Sequence, residues 1–153
     1  MPLELQPYKE TEVPWERSKG EITGLLMQYG AKGVQWTDIF DRWEIDFKFA
    51  YEVTDEQKGT TSTIGVQIKV PIRKPVKKDR YGSVAELKQE DQRRAMNQAY
   101  RAVYWWMKSQ FEAVAFGIQK LEQVFLSQML YQLPDGRTTT VYEAFKAGIV
   151  EKA

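Results

Sequence analysis

The sequence predicts an α+β fold in which a β-meander precedes a helical C-terminal half. Two patterns carry that expectation. Apolar and polar residues alternate along two stretches between positions 43 and 72, and apolar residues recur in steps of three and four from Met96 to Phe125. The size fits as well, because 153 residues with 42% hydrophobic side chains can bury one core and fall in the range of a single domain.

Residues 1–15, punctuated by Pro2, Pro7 and Pro14, read as an extended arm that Tyr8 and Trp15 can dock, and residues 16–153 as the single α+β domain. Ser18 and Glu21 have the spacing of a capping box ahead of Ile22, Leu25, Leu26 and Tyr29, with Gly30 where a first helix would stop. From Trp43 to Val53 the period becomes two. Trp43, Ile45, Phe47, Phe49, Tyr51 and Val53 share one face of a strand, and Glu44, Asp46, Lys48, Ala50 and Glu52 the other. Ile64, Val66, Ile68, Val70 and Ile72 repeat the alternation after a loose connection over Thr54 to Thr61, and Val34 and Trp36 mark a weaker strand that completes a three-stranded antiparallel meander.

Pro71 and Pro75 end the sheet in a basic loop, after which Ser83 and Glu86 form a second capping box. The stripe that follows, Met96, Tyr100, Val103, Met107, Phe111, Val114, Ile118, Leu121 and Phe125, predicts a long helix. A straight helix over residues 92–130 would span about 58 Å, more than a compact domain of this length needs. It therefore either bends at Gly117 or holds subunits of a homo-oligomer together, and a second stripe of Ala99, Ala102, Trp106 and Ala113 suggests contact on two sides. Leu133-Pro134-Asp135-Gly136 is a turn, and Thr140 with Glu143 caps a short terminal helix from Tyr142 to Ala147.

The chain has no histidine and no cysteine, which excludes Ser-His-Asp and Cys-His catalysis, disulfides, and zinc or iron-sulfur centres built on those ligands. No cofactor and no metal is expected. The first 20 residues lack the apolar core of a signal peptide, and no run of about 18 apolar residues occurs, so the expected location is the cytoplasm, with no membrane partner.

Total charge is +1, but it is unevenly distributed: residues 1–66 carry a net −5, residues 67–108 a net +7 and residues 109–153 a net −1. A basic block of this kind attracts polyanions if it gathers on one face. Its members are Lys69, Arg73, Lys74, Lys77, Lys78 and Arg80, then Arg93, Arg94, Arg101 and Lys108 with Trp105 among them. Helical spacing puts Arg94, Arg101, Trp105 and Lys108 within about 60° of one another. Cations that follow a phosphate chain, together with an aromatic face for unpaired bases, suit single-stranded nucleic acid. The acidic surface of a partner protein would suit the same face, giving an oligomeric adaptor instead.

The assembled pieces resemble a family of small, mostly uncharacterised proteins of tailed bacteriophages and prophages. They are Ser18-x-x-Glu21-Ile22, Tyr29-Gly30-Ala31, Val70-Pro71-Ile72, Arg93-Arg94 before Tyr100-Arg101, Lys108 to Glu112-Ala113-Val114, Gly117-Ile118, Glu122 with Phe125-Leu126, and Pro134-Asp135-Gly136-Arg137-Thr138. The resemblance implies phage origin, the host-cell cytoplasm and a place in DNA metabolism, without supplying catalytic residues. The leading expectation is thus a non-catalytic protein that binds single-stranded DNA in phage replication or recombination.

One catalytic alternative remains. Glu21, Asp46, Gln67 and Lys69 follow the helix-Glu, strand-Asp, Gln-x-Lys order of some Mg²⁺-dependent nucleases, in which carboxylates and phosphate oxygens hold the cation and the lysine stabilises developing charge. Against it, the three strand residues occupy the polar face that alternation exposes anyway, and Glu21 already has a capping role.

Overall fold

The computed structural model describes the backbone of residues 6–152 and the side chains of residues 6–148. In chain order it contains α1 (Trp15–Gln28), β1 (Gly33–Ile39), β2 (Glu44–Asp55), β3 (Thr60–Pro71), α2 (Gln89–Phe116), α3 (Leu121–Val124), a 3₁₀ turn (Leu126–Gln128), β4 (Leu130–Gln132), β5 (Thr138–Thr140) and α4 (Val141–Lys152). This is the expected α+β architecture.

The alternating stretches pair as an antiparallel meander of order β1-β2-β3, with Phe47 opposite Trp36 on one side and Ile68 on the other. Period two sends Ile45, Phe47, Phe49 and Tyr51 to one face, where they join Val66 and Ile68 in the core. The opposite face carries Gln35, Thr37, Asp46, Lys48, Gln67 and Lys69 and has no aromatic residue among them. Trp43 lies just before β2, closing the β1–β2 turn at φ 49°, and its carbonyl accepts the Ile72 N–H at 2.7 Å.

Both principal helices cover the apolar face. Glu16 meets Arg93, Glu21 meets Arg101 and Tyr29 stacks on Phe111 at 4.5 Å, so α1 and α2 run parallel, side by side. Tyr100 joins this pair to the sheet. It is wholly buried, its ring lies 5.7 Å from both Trp15 and Trp36, and its hydroxyl donates to Asp38. The Lys19 ammonium completes the cluster, 3.2 Å from Asp38 and 5.3, 5.5 and 5.7 Å from the ring centres of Trp36, Trp15 and Tyr100.

Several boundaries differ from the sequence expectation. Helix α1 opens at Trp15 behind Pro14, three residues before Ser18, which is therefore a buried helix-interior residue; Glu21 is occupied by ion pairs and caps nothing. Of the arm, residues 1–5 lie outside the described residues, and residues 7–10 form a turn docked by Gln98 Nε2 on the Pro7 carbonyl at 3.1 Å. The Ser83–Glu86 box opens no helix. Asp79 takes the Tyr81 and Ser83 N–H groups at 2.8 and 3.0 Å and turns the chain there, which delays α2 to Gln89. At that N-terminus the Asp91 carboxylate accepts the Lys88 N–H at 2.9 Å.

Gly117 breaks the helical stripe. At φ 93° it ends α2, its N–H and that of Ile118 close on the Ala113 carbonyl, and the chain re-enters as α3. Helix α2 is thus about 42 Å long by its 28 residues, and the length argument for an oligomer built on it lapses. Ile118 is exposed, while Phe125 returns to the core against Phe49 and Phe111 at 5.2 and 5.6 Å. The β4–β5 hairpin around Pro134-Asp135-Gly136 was not anticipated beyond its turn. Thr140 does cap α4, accepting the Glu143 N–H at 3.3 Å, and α4 continues past Ala147 to Lys152.

Burial and the bond to Asp38 push the Tyr100 phenol above its ordinary range, so it remains a donor at every working pH. Tyr100→Phe, which keeps the ring and deletes the donor to a charged acceptor, should cost about 2 kcal/mol in urea unfolding with an unchanged slope. The Asp91 carboxyl is held low, first by the Lys88 N–H and also by Lys77. A depressed folded value means that its contribution is present above the unfolded value of 3.8 and fades as pH falls through the folded one. Asp91→Ala should therefore lower Tm by a few degrees at neutral pH, and the gap to the parent chain should narrow as pH is taken below 3.8.

Candidate nucleic-acid interface

The fold distributes the basic block over three regions. On the polar face of the sheet, Lys69 lies across from Asp46, whose carboxylate accepts both contacts of the Gln67 amide at 3.0 and 3.1 Å. In the loop, Lys74 lies over the Trp43 ring at 5.8 Å, Lys77 pairs with Asp91 at 3.2 Å, Lys78 is exposed, and Arg80 stacks on Tyr81 at 5.0 Å. Arg73 lines a small groove of about 180 Å³ with Pro7, Pro71 and Ala102. On α2, Arg93 pairs with Glu16 at 2.9 Å, holding that carboxyl below its ordinary value, and Arg94 pairs with Glu90 at 2.6 Å.

The α2 face of Arg94, Arg101, Trp105 and Lys108 is interrupted. Gln98, between Arg94 and Arg101, is buried under the arm, and Arg101 is only 7% exposed. The Arg101 guanidinium is 3.5 Å from Glu21 and 4.0 Å from the centre of the Tyr104 ring, and its Nε has no acceptor among the described residues. Beyond it the face opens. Trp105 is 45% exposed, the Lys108 ammonium lies 5.1 Å from its ring centre, and Tyr104 meets it edge-on at 5.2 Å.

These residues border an open cleft of about 620 Å³ between the arm and the α1–α2 pair. Its walls bring together Lys9 and Tyr8 from the arm, Arg17 and Glu21 from α1, and Arg101, Tyr104 and Trp105 from α2. Sequence reasoning missed Lys9, Arg17 and Tyr104. Tyr104 was detectable, since it follows Arg101 by one helical turn. The arm's contribution had no local signal, because it depends on a contact with Gln98 across 91 residues.

The nuclease arrangement does not assemble. Asp46, Gln67 and Lys69 sit together, but on the sheet face opposite Ile45 and Phe47, whereas Glu21 lies on a helix that packs against the Ile45–Phe47 face. The sheet stands between the two carboxylates. Glu21 instead joins Arg17 at 3.0 Å and Arg101. Among the described residues no group of three acidic side chains is placed to hold a metal ion.

The site is thus an aromatic cleft of mixed charge, with Glu10 and Glu21 among its cations, on a two-layer α+β protein. No protein-family model, no curated protein and no solved structure matches the chain. Among the described residues no helix is long and apolar enough to cross a membrane.

Glu21→Gln tests the cleft's charge balance. It removes the carboxylate facing a guanidinium that is almost wholly buried, and because Glu21 itself is partly exposed the cost should be about 1 to 2 kcal/mol by chemical denaturation. Arg17→Ala, which takes away only the exposed partner of Glu21, should cost less than half of that.

Proposed function

We propose that this chain binds single-stranded nucleic acid non-catalytically, with an unpaired base stacked on Trp105. The observation that carries this reading is the half-exposed Trp105 ring, set between Lys108 and Arg101 at the mouth of the cleft. A base stacked on such a ring gains about 1 to 3 kcal/mol without its sequence being read, and only an unpaired strand offers its base faces. Lys108, with no carboxylate within ion-pair distance among the described residues, is available to a neighbouring phosphate, as is Lys9 at the cleft wall. Lys74, Lys78 and Arg80 extend the positive potential along the loop.

The charge geometry narrows the original set. Lys77, Arg93, Arg94 and Arg101 are neutralised by Asp91, Glu16, Glu90 and Glu21, so in this reading they shape the surface and contribute little to counterion release. The polar sheet face lacks stacking residues, which leaves α2 as the binding element. The resemblance to tailed-phage proteins supports DNA as the nucleic acid and phage DNA metabolism, such as replication or recombination in the host cytoplasm, as the setting. The separation of Glu21 from Asp46 supports binding without cleavage.

Fluorescence anisotropy with a labelled oligothymidylate tests this. Wild-type protein should bind at low salt and weaken as salt rises, Trp105→Ala should weaken binding about 5- to 100-fold, and Lys108→Ala should flatten the salt dependence by slightly under one unit of log–log slope. Absence of binding at low salt, or full affinity in Trp105→Ala, would overturn the reading.

A further inference from the structure

Helix α4 is 12 residues long and packs on the 3₁₀ turn, β4 and β5, yet none of its described side chains is fully buried. Helices of that length are marginal without tertiary support. Val141, Ala144 and Gly148 are half-buried along one side of it. Immediately beside them, Tyr142 and Phe145 stand one turn apart, 53% and 66% exposed, and Leu126 on the supporting 3₁₀ turn is 52% exposed. The apolar arc of α4 is therefore wider than the surface the chain gives it to cover.

We propose that this face docks a second copy of the same chain, α4 against α4 in antiparallel fashion about a two-fold axis. Charge selects this occupant. Lys146 follows Tyr142 by four residues and Glu143 precedes Lys146 by three, so both lie along the same border of the apolar face, and neither is ion-paired among the described residues. An axis passing between residues 144 and 145 sets position 143 of one copy opposite position 146 of the other. Each Glu143 then faces a Lys146, twice over, around a core of Tyr142 and Phe145. The surface is complementary to itself, as an isologous interface requires.

The area fits a modest dimer. At about 200 Å² for a fully exposed aromatic side chain, Tyr142, Phe145 and Leu126 offer roughly 350 Å² of apolar surface. Since about 60% of an interface is apolar, the whole would bury about 550 Å² per subunit, near the lower bound for a specific contact. The dissociation constant should accordingly lie in the micromolar range. The interface shares no residue with the Trp105 cleft, so its variants test the dimer separately from nucleic-acid binding.

Sedimentation equilibrium of the full chain from about 1 to about 200 µM tests the proposal. Wild type should pass from monomer to dimer across that range. Phe145→Asp should remain monomeric, with an unchanged far-ultraviolet circular dichroism spectrum because the side chain is already largely exposed. Lys146→Glu should weaken the dimer about tenfold by setting like charges opposite one another, and the double variant Glu143→Lys with Lys146→Glu should restore it. A chain that stays monomeric at the highest concentration, a dimer unmoved by Phe145→Asp, or a double variant no tighter than Lys146→Glu alone would overturn it.

Discussion

Three elements of this protein meet at one side chain. Tyr100 of α2 reaches Asp38 of β1 with its hydroxyl and Trp15 of α1 with its ring. The Asp38 carboxylate accepts that hydroxyl and pairs with Lys19, so a half-buried negative charge is balanced by a cation held over three aromatic rings. An uncompensated charge there would be costly. Because each partner comes from a different element, satisfying them fixes where both helices sit on the sheet.

The cleft follows from that anchoring. Tyr100 points into the core and Arg101, the next residue, falls at the margin of the α1–α2 seam, where it finds Glu21 on the parallel neighbour. One turn further on, Tyr104 and Trp105 emerge beside it. Gln98 holds Pro7 one turn before, bringing the arm across as the second wall. The periodicity that fills the core thus also meters out the aromatic and cationic residues on the adjoining face.

Much of the fold was readable in the sequence because it rests on period alone. The strand face from Ile45 to Tyr51 and the helix stripe from Met96 to Phe111 are buried as their spacing required. Helix starts were less legible. Ser18-x-x-Glu21 and Ser83-x-x-Glu86 have the right spacing, but Pro14 opens α1 earlier and Asp79 claims the backbone donors near Ser83. Gly117 was identified as a discontinuity, though its left-handed backbone ends the helix where a bend was the milder expectation. On α2, Arg101 and Lys108 lie 5.8 and 5.1 Å from the Trp105 ring centre, as helical spacing requires; the burial of Arg101 was invisible because it depends on Glu21, 80 residues away.

The parallel placement of α1 and α2 bears on how the chain reaches this state. Glu16 and Arg93 are separated by 77 positions, and the entire meander is threaded between them. Strand pairings within the two hairpins close short loops, whereas the helix pair closes one that spans half the chain and gains from doing so only once the sheet has drawn its ends together. The contacts of α1 with α2 are thus the ones with the largest loop to close, and a nascent chain emerging from the ribosome cannot make them until α2 has been synthesised.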